Sequence, residues 1–131
     1  MTTINEILKA AEDNIDSIMQ HADNKYLRNL MNAAYNQNMK FKLPEGIPEY
    51  KKNLQHEQQL RGAFWQICKT LDKFNTMDIP QLRRESLFIQ ALESLPEVEA
   101  TILKAVKEQN LHTVYKGVTR TRLKNCGYFK D

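Results

Sequence analysis

The chain has 131 residues, 41% hydrophobic and 27% charged, with a formal net charge of +3. That length fits one domain with its own core, which needs neither disulfides nor metals to hold together. No apolar run approaches the roughly 20 residues that span a bilayer, and MTTINEILKAAEDN has neither the basic nor the apolar region of a secretory signal, so a cytoplasmic protein is expected.

Thr3-Ile4-Asn5-Glu6 reads as a capping box that starts the first helix. Ile4, Ile7, Leu8, Ala11, Ile15 and Ile18 form its apolar stripe. A second, shorter helix follows His21-Ala22-Asp23, capped by Asp23 or Asn24, with Leu27, Leu30, Met31 and Ala34 inward. Residues 38–53, NMKFKLPEGIPEYKKN, break the pattern, because Pro44 and Pro48 lack backbone donors and push Leu43 and Ile47 toward extended geometry. This stretch reads either as a connection packed along the helices or as a docking loop, since loops of this length are often functional.

A third helix is predicted from about Leu54 to Phe74, with Leu60, Phe64, Ile67, Leu71 and Phe74 as its core face. Trp65, one position off that line, is either core or an exposed anchor of the kind that dominates interfaces. The fourth helix begins after Asp78 with Pro80 in its first turn and buries Leu82, Leu87 or Phe88, Ala91, Leu92 and Leu95. Ser94-Leu95-Pro96-Glu97 reads as a second capping box opening a fifth helix, which buries Val98, Ile102, Ala105 and Val106 and frays near Asn110. Thr113 to Tyr115 look extended, and Thr119 caps a short last helix that Gly127 stops. The expected fold is all-α: a compact bundle of about five to six short amphipathic helices with a Pro-containing central loop, in one domain over residues 1–131.

No constellation that does chemistry stands out. Glu97 and Glu99 read as charges that favour a helix start rather than as paired catalytic carboxylates. Cys68 and Cys126 are far apart, and His21, His56 and His112 are scattered, so free thiols, no metal and no cofactor are expected. The expectation is a protein without an active site.

Charge is uneven. Residues 1–38 hold five acids against three bases, whereas Lys116, Arg120, Arg122 and Lys124 cluster with no acid among them. Arg83-Arg84-Glu85 and Lys69 with Lys73 make further cationic spots. The tail KGVTRTRLKNCGYFK interleaves its cations with Tyr115, Tyr128 and Phe129, a mixture that is either a solvated face or a nucleic-acid site working through phosphate contacts and stacking.

The segment RRESLFIQALESLPEVEATILKAVKEQNL, followed by YKGVT, resembles small proteins of T-even-type tailed phages. It is similar to their form R-E-[ST]-L-F-I-Q-x-L-E-x-L, then E-A-x-x-[IL]-L-x-A-V-K, closed by Y-K-G-[VI]-T. Arg84 to Gln90 carry the first part, Glu99 to Lys107 the second, and Tyr115 to Thr119 the close. INEILKAA at Ile4–Ala11 and KLPEGIPEYK at Lys42–Lys51 resemble the same family. The relative with an assigned activity that is placed nearest is the RNA polymerase-binding protein RpbA of such phages, a protein of similar size. The resemblance implies a non-enzymatic protein of the host cytoplasm that binds host RNA polymerase and modulates transcription during infection. It places no contact residue.

The rival reading, a small nucleic-acid-binding accessory protein, is testable from the tail. Its affinity should fall steeply with salt and collapse when Lys116, Arg120, Arg122 and Lys124 are all made neutral. Filter binding at several salt concentrations would show this, and binding that survives the quadruple change would dismiss the tail as the site.

Overall fold

The computed structural model describes residues 2–55 and 60–129. Its helices are α1 (Ile4–Asp13), α2 (Lys25–Tyr35), α3 (Ala63–Cys68), α4 (Asp72–Asn75), α5 (Gln81–Ser94), α6 (Glu97–Glu108), α7 (Leu111–Val114) and α8 (Arg120–Asn125), with 3-10 segments at Ile15–His21 and Gln37–Met39. The fold is all-α; among the described residues the sole extended pairing is an isolated bridge between Asn53 and Pro96.

The first capping box forms as the residues dictate. Thr3 Oγ1 accepts the Glu6 N–H at 3.1 Å, and Glu6 Oε1 accepts the Thr3 N–H at 3.2 Å. That backbone bond is the main reason the Glu6 carboxyl titrates below its ordinary range. The apolar stripe runs on to Ile18, but the α-helix does not. Asn14 is extended and its side chain accepts the Asp16 N–H at 3.1 Å, so Ile18 is buried from a 3-10 segment instead. Asn24 caps α2 by accepting from Tyr26 and Leu27.

α6 lies at the centre, against α1, α2, α5 and α7, while α3 packs on α2 and α4 on α5. Phe41, Phe74 and Phe88 meet with ring centroids 5.0 to 6.2 Å apart, joining the loop before α3 to α4 and α5. The far end of α6 is fixed differently. Gln109 adopts a left-handed φ of 55°, where glycine is the usual occupant, and its side-chain amide donates to the carbonyls of Ala33 and Asn36 at the end of α2. A glycine would relieve the backbone but release α2.

Several expectations are corrected. The third helix splits into α3 and α4, because the Thr70 N–H turns to the Ile67 carbonyl at 3.0 Å and tightens the chain into a turn. Residues 56–59 of that expected helix, His56 among them, lie outside the described residues. Phe64, Ile67, Leu71 and Phe74 are buried as their spacing predicts, while Leu60 is only half-buried. Ser94 caps nothing ahead of it. Its hydroxyl donates to the Ala91 carbonyl, and α6 starts from Pro96 with no side-chain cap. The inward row of α6 begins at Glu99 and Ala100 and leaves Val98 exposed. Thr113 and Val114 do not extend: they belong to α7, whose turn the Tyr115 N–H closes onto the Leu111 carbonyl, and Tyr115 alone of the three is extended.

The largest correction concerns α5. Arg84, not Leu82, shares the inward stripe with Phe88, Ala91, Leu92 and Leu95. The guanidinium is 6% exposed and donates to the Lys73 carbonyl at 3.3 Å, the Gln81 side chain at 2.8 Å and the Met77 carbonyl at 2.5 Å. It therefore closes the turn between α4 and α5 and is no surface cation. Leu82, two residues earlier and so about 160° around the helix, is left 80% exposed. Arg84→Met should lower stability by about 3 kcal/mol, since buried carbonyls lose charged donors. Arg84→Lys, which keeps the charge but not the fork, should recover only part of that in urea unfolding.

Candidate functional site

The two prolines that exclude helix from residues 42–53 leave backbone donors and acceptors that need partners elsewhere. They find them on the helices beneath. The Lys42 N–H donates to the Phe74 carbonyl, and Gln81 Nε2 donates to the Lys42 carbonyl, each at 2.8 Å. Gly46, at φ 85°, gives its N–H to Glu108 Oε1 at 3.1 Å. The Lys51 N–H reaches Glu93 Oε2 at 2.8 Å, and the Tyr50 hydroxyl donates to Glu97 Oε1 at 2.8 Å. Three carboxylates of α5 and α6 thus hold this segment as a strap.

Lys104 completes the fastening, its Nζ 2.7 Å from the Tyr50 hydroxyl and 4.9 Å from the ring centroid. Burial pulls the Lys104 ammonium down, but its bonds to Tyr50 and Glu97 outweigh it and the net displacement is upward. Burial is also the first cause of the raised Tyr50 hydroxyl.

Between the strap and the helices lies a hollow of about 250 Å³. Leu43, Pro44, Glu45, Gly46, Ile47 and Pro48 form one wall; Glu85, Phe88, Ile89 and Lys107 form the other. Lys107 is 3% exposed, and its Nζ lies 3.3 Å from Glu108 Oε2, on the carboxylate that also holds Gly46. Leu82 continues the helix wall, because residues seven apart, 82 and 89, lie nearly in line on a helix. Ile47 is exposed on the facing side.

The four tail cations do not form a single face. Arg120 and Lys124 share a side of α8, whereas Arg122 projects about 160° away from Arg120. Arg120 lies over the Phe129 ring at 5.8 Å, and Arg122 Nη1 turns back to the Gly117 carbonyl at 3.4 Å. The backbone N–H of Lys116 donates to Glu12 Oε2 at 3.0 Å, which brings one acid of α1 to the start of the tail. The interleaved aromatics point inward. Tyr115 is buried with its hydroxyl on Asn5 Oδ1, Tyr128 is buried on the Ile18 carbonyl, and Phe129 packs on Tyr35. Those two tyrosine rings are not available for base stacking. Lys130 of the tail lies outside the described residues.

Trp65 is half-buried against the core, and its indole N–H donates to the Thr2 carbonyl at 3.0 Å. It borders a second, shallower depression with Tyr26, His21 and Lys69. Both thiols are free and buried. Burial, then the Glu99 charge, pushes Cys68 up; burial, then Asp16, does the same to Cys126, so neither is an activated nucleophile.

With the fold and hollow in place, comparison with protein families gives one match, to the model described as a family of unknown function, over residues 4–113. The chain belongs to this family, DUF6433. No curated protein and no solved structure matches it. The DUF6433 match contains the strap, the hollow and Trp65, and it ends before Lys116. Among the described residues no helix is long and apolar enough to cross a membrane.

Sequence reasoning marked the strap through Pro44, Gly46 and Pro48 but missed Lys107 and Glu85. The only available signal for Lys107 was a lysine directly after the buried pair Ala105 and Val106. Replacing Glu93 and Glu108 together by Ala should free the Lys51 and Gly46 amides. Hydrogen exchange over residues 43–51 should accelerate at least tenfold, about 1.4 kcal/mol or more, with α2 unchanged.

Proposed function

We propose that this DUF6433 chain is a non-enzymatic protein-binding factor of the host cytoplasm. Its target, following the resemblance to the phage RNA polymerase-binding protein, is host RNA polymerase, whose transcription it modulates during infection. The observation that carries the protein-binding reading is Leu82, a leucine 80% exposed at the start of a clamped helix. It stands in line with Ile89 beside the exposed Ile47, and Met77, across the Arg84 clamp, is exposed as well. Apolar side chains held on rigid backbone lose little entropy on binding and make effective anchors.

The tail gives the nucleic-acid alternative less support, since two of its three aromatic partners, Tyr115 and Tyr128, are consumed in the core.

Purified polymerase core enzyme and the full chain, mixed after nuclease treatment, provide the test. Leu82→Asp should weaken the complex at least tenfold while leaving the melting temperature within a degree or two, because the side chain contributes little to the fold. Neutralising the four tail cations should change affinity far less. A complex indifferent to Leu82→Asp would remove this surface from the proposal, and no complex with the core enzyme would remove the partner.

A further inference from the structure

We infer that the hollow beneath the strap binds a small apolar carboxylate, with Lys107 as its counter-ion. This is a ligand site in its own right and does not depend on what protein partner the chain has. The argument begins with the cost of burying an ammonium, which is several kcal/mol unless the charge is paired and its protons are accepted. Lys107 is almost wholly buried, yet the acceptor it reaches among the described residues is one Glu108 oxygen at 3.3 Å. That distance is long against the 2.7–2.9 Å typical of strong charged hydrogen bonds. Glu108 also divides its attention, since its other oxygen holds the Gly46 N–H. Lys107 therefore brings spare donor capacity to the lining of a cavity whose apolar surfaces are Leu43, Pro44, Ile47, Pro48, Phe88 and Ile89, beside Glu45, Gly46 and Glu85.

Size and charge narrow the ligand. About 250 Å³ is below the roughly 300 Å³ at which pockets for drug-sized ligands begin, so the occupant is a short chain or a single ring rather than a nucleotide. A phosphate dianion would meet Glu45 and Glu85 in the lining and Glu108 behind Lys107, with one cation to offset them. A monocarboxylate with an aliphatic or aryl body adds one charge, accepts from Lys107 and covers the apolar walls. The competing chemistry is a cation drawn to Glu85. It is the weaker of the two, because Glu85 is partly exposed and so already solvated, whereas Lys107 is not.

Octanoate, octylamine and octanol share one body and differ in head group, so they separate these cases. Each is titrated into the full chain below its micelle-forming concentration and followed by amide NMR. Octanoate should shift Gly46, Ile89 and Lys107 and bind at least tenfold more tightly than either octylamine or octanol. Lys107→Met, which keeps the length and removes the charge, should abolish that preference while leaving octanol binding unchanged. Glu85→Gln, at a partly exposed position that does not threaten the fold, should tighten octanoate severalfold by removing a like charge. Octylamine binding as tightly as octanoate, no shifts around the hollow, or octanoate affinity unmoved by Glu85→Gln and Lys107→Met would each overturn the assignment.

Discussion

The surface of this protein follows from one buried guanidinium. Arg84 satisfies the carbonyls of Lys73 and Met77 and holds the Gln81 side chain, and by doing so it sets the rotation of α5. With Arg84 inward, Phe88 completes the aromatic triad, Glu85 and Ile89 turn toward the strap, and Leu82 is driven into solvent. Gln81 carries the effect further, since its other amide atom holds the strap at Lys42. Burying the guanidinium is tolerable because three acceptors meet it at fixed geometry, which lysine cannot match. Clamp, strap and exposed leucine are thus parts of one arrangement.

The C-terminal segment has a structural role that its composition conceals. Tyr115, Tyr128 and Tyr35 bond across 83 to 110 residues of sequence, tying residues 115–128 to the N-terminal half. Arg28 adds donors to the carbonyls of Ala22 and Gly127. The basic tail therefore lies beside the acidic first segment, with the Lys116 backbone amide on Glu12 and Cys126 next to Asp16. Placing opposite charges side by side shortens the dipole that their separation in sequence suggests, and long-range steering of a partner is correspondingly weaker.

Much of the fold was legible where periodicity and capping act locally. The Thr3 box, the Asn24 and Thr119 caps, the Pro96 turn, the core row of α2 and that of α6 from Ile102 onward follow from side chains within a few residues of one another. What failed depended on distant partners. Leu82 looks buried because leucine usually is, and only the carbonyls of Lys73 and Met77 make arginine the inward residue. The tail read as either a solvated face or a nucleic-acid site because the acceptors of its tyrosines, at Asn5 and Ile18, lie more than a hundred residues away. The hollow was half legible: two prolines and a glycine announce a strap, but a buried lysine inside an otherwise ordinary helix does not announce a cavity wall.

Trp65 is the single tryptophan of the chain, half-buried, with its indole N–H on the carbonyl of Thr2, the residue just ahead of the Thr3 cap. Its emission therefore originates at the seam between the chain's first residues and α3. Loss of that hydrogen bond and admission of water would move the emission to longer wavelength while most of the helical circular dichroism persisted. The molecule thus carries an intrinsic optical reporter for detachment of its N-terminal segment, separable from global unfolding and needing no added label.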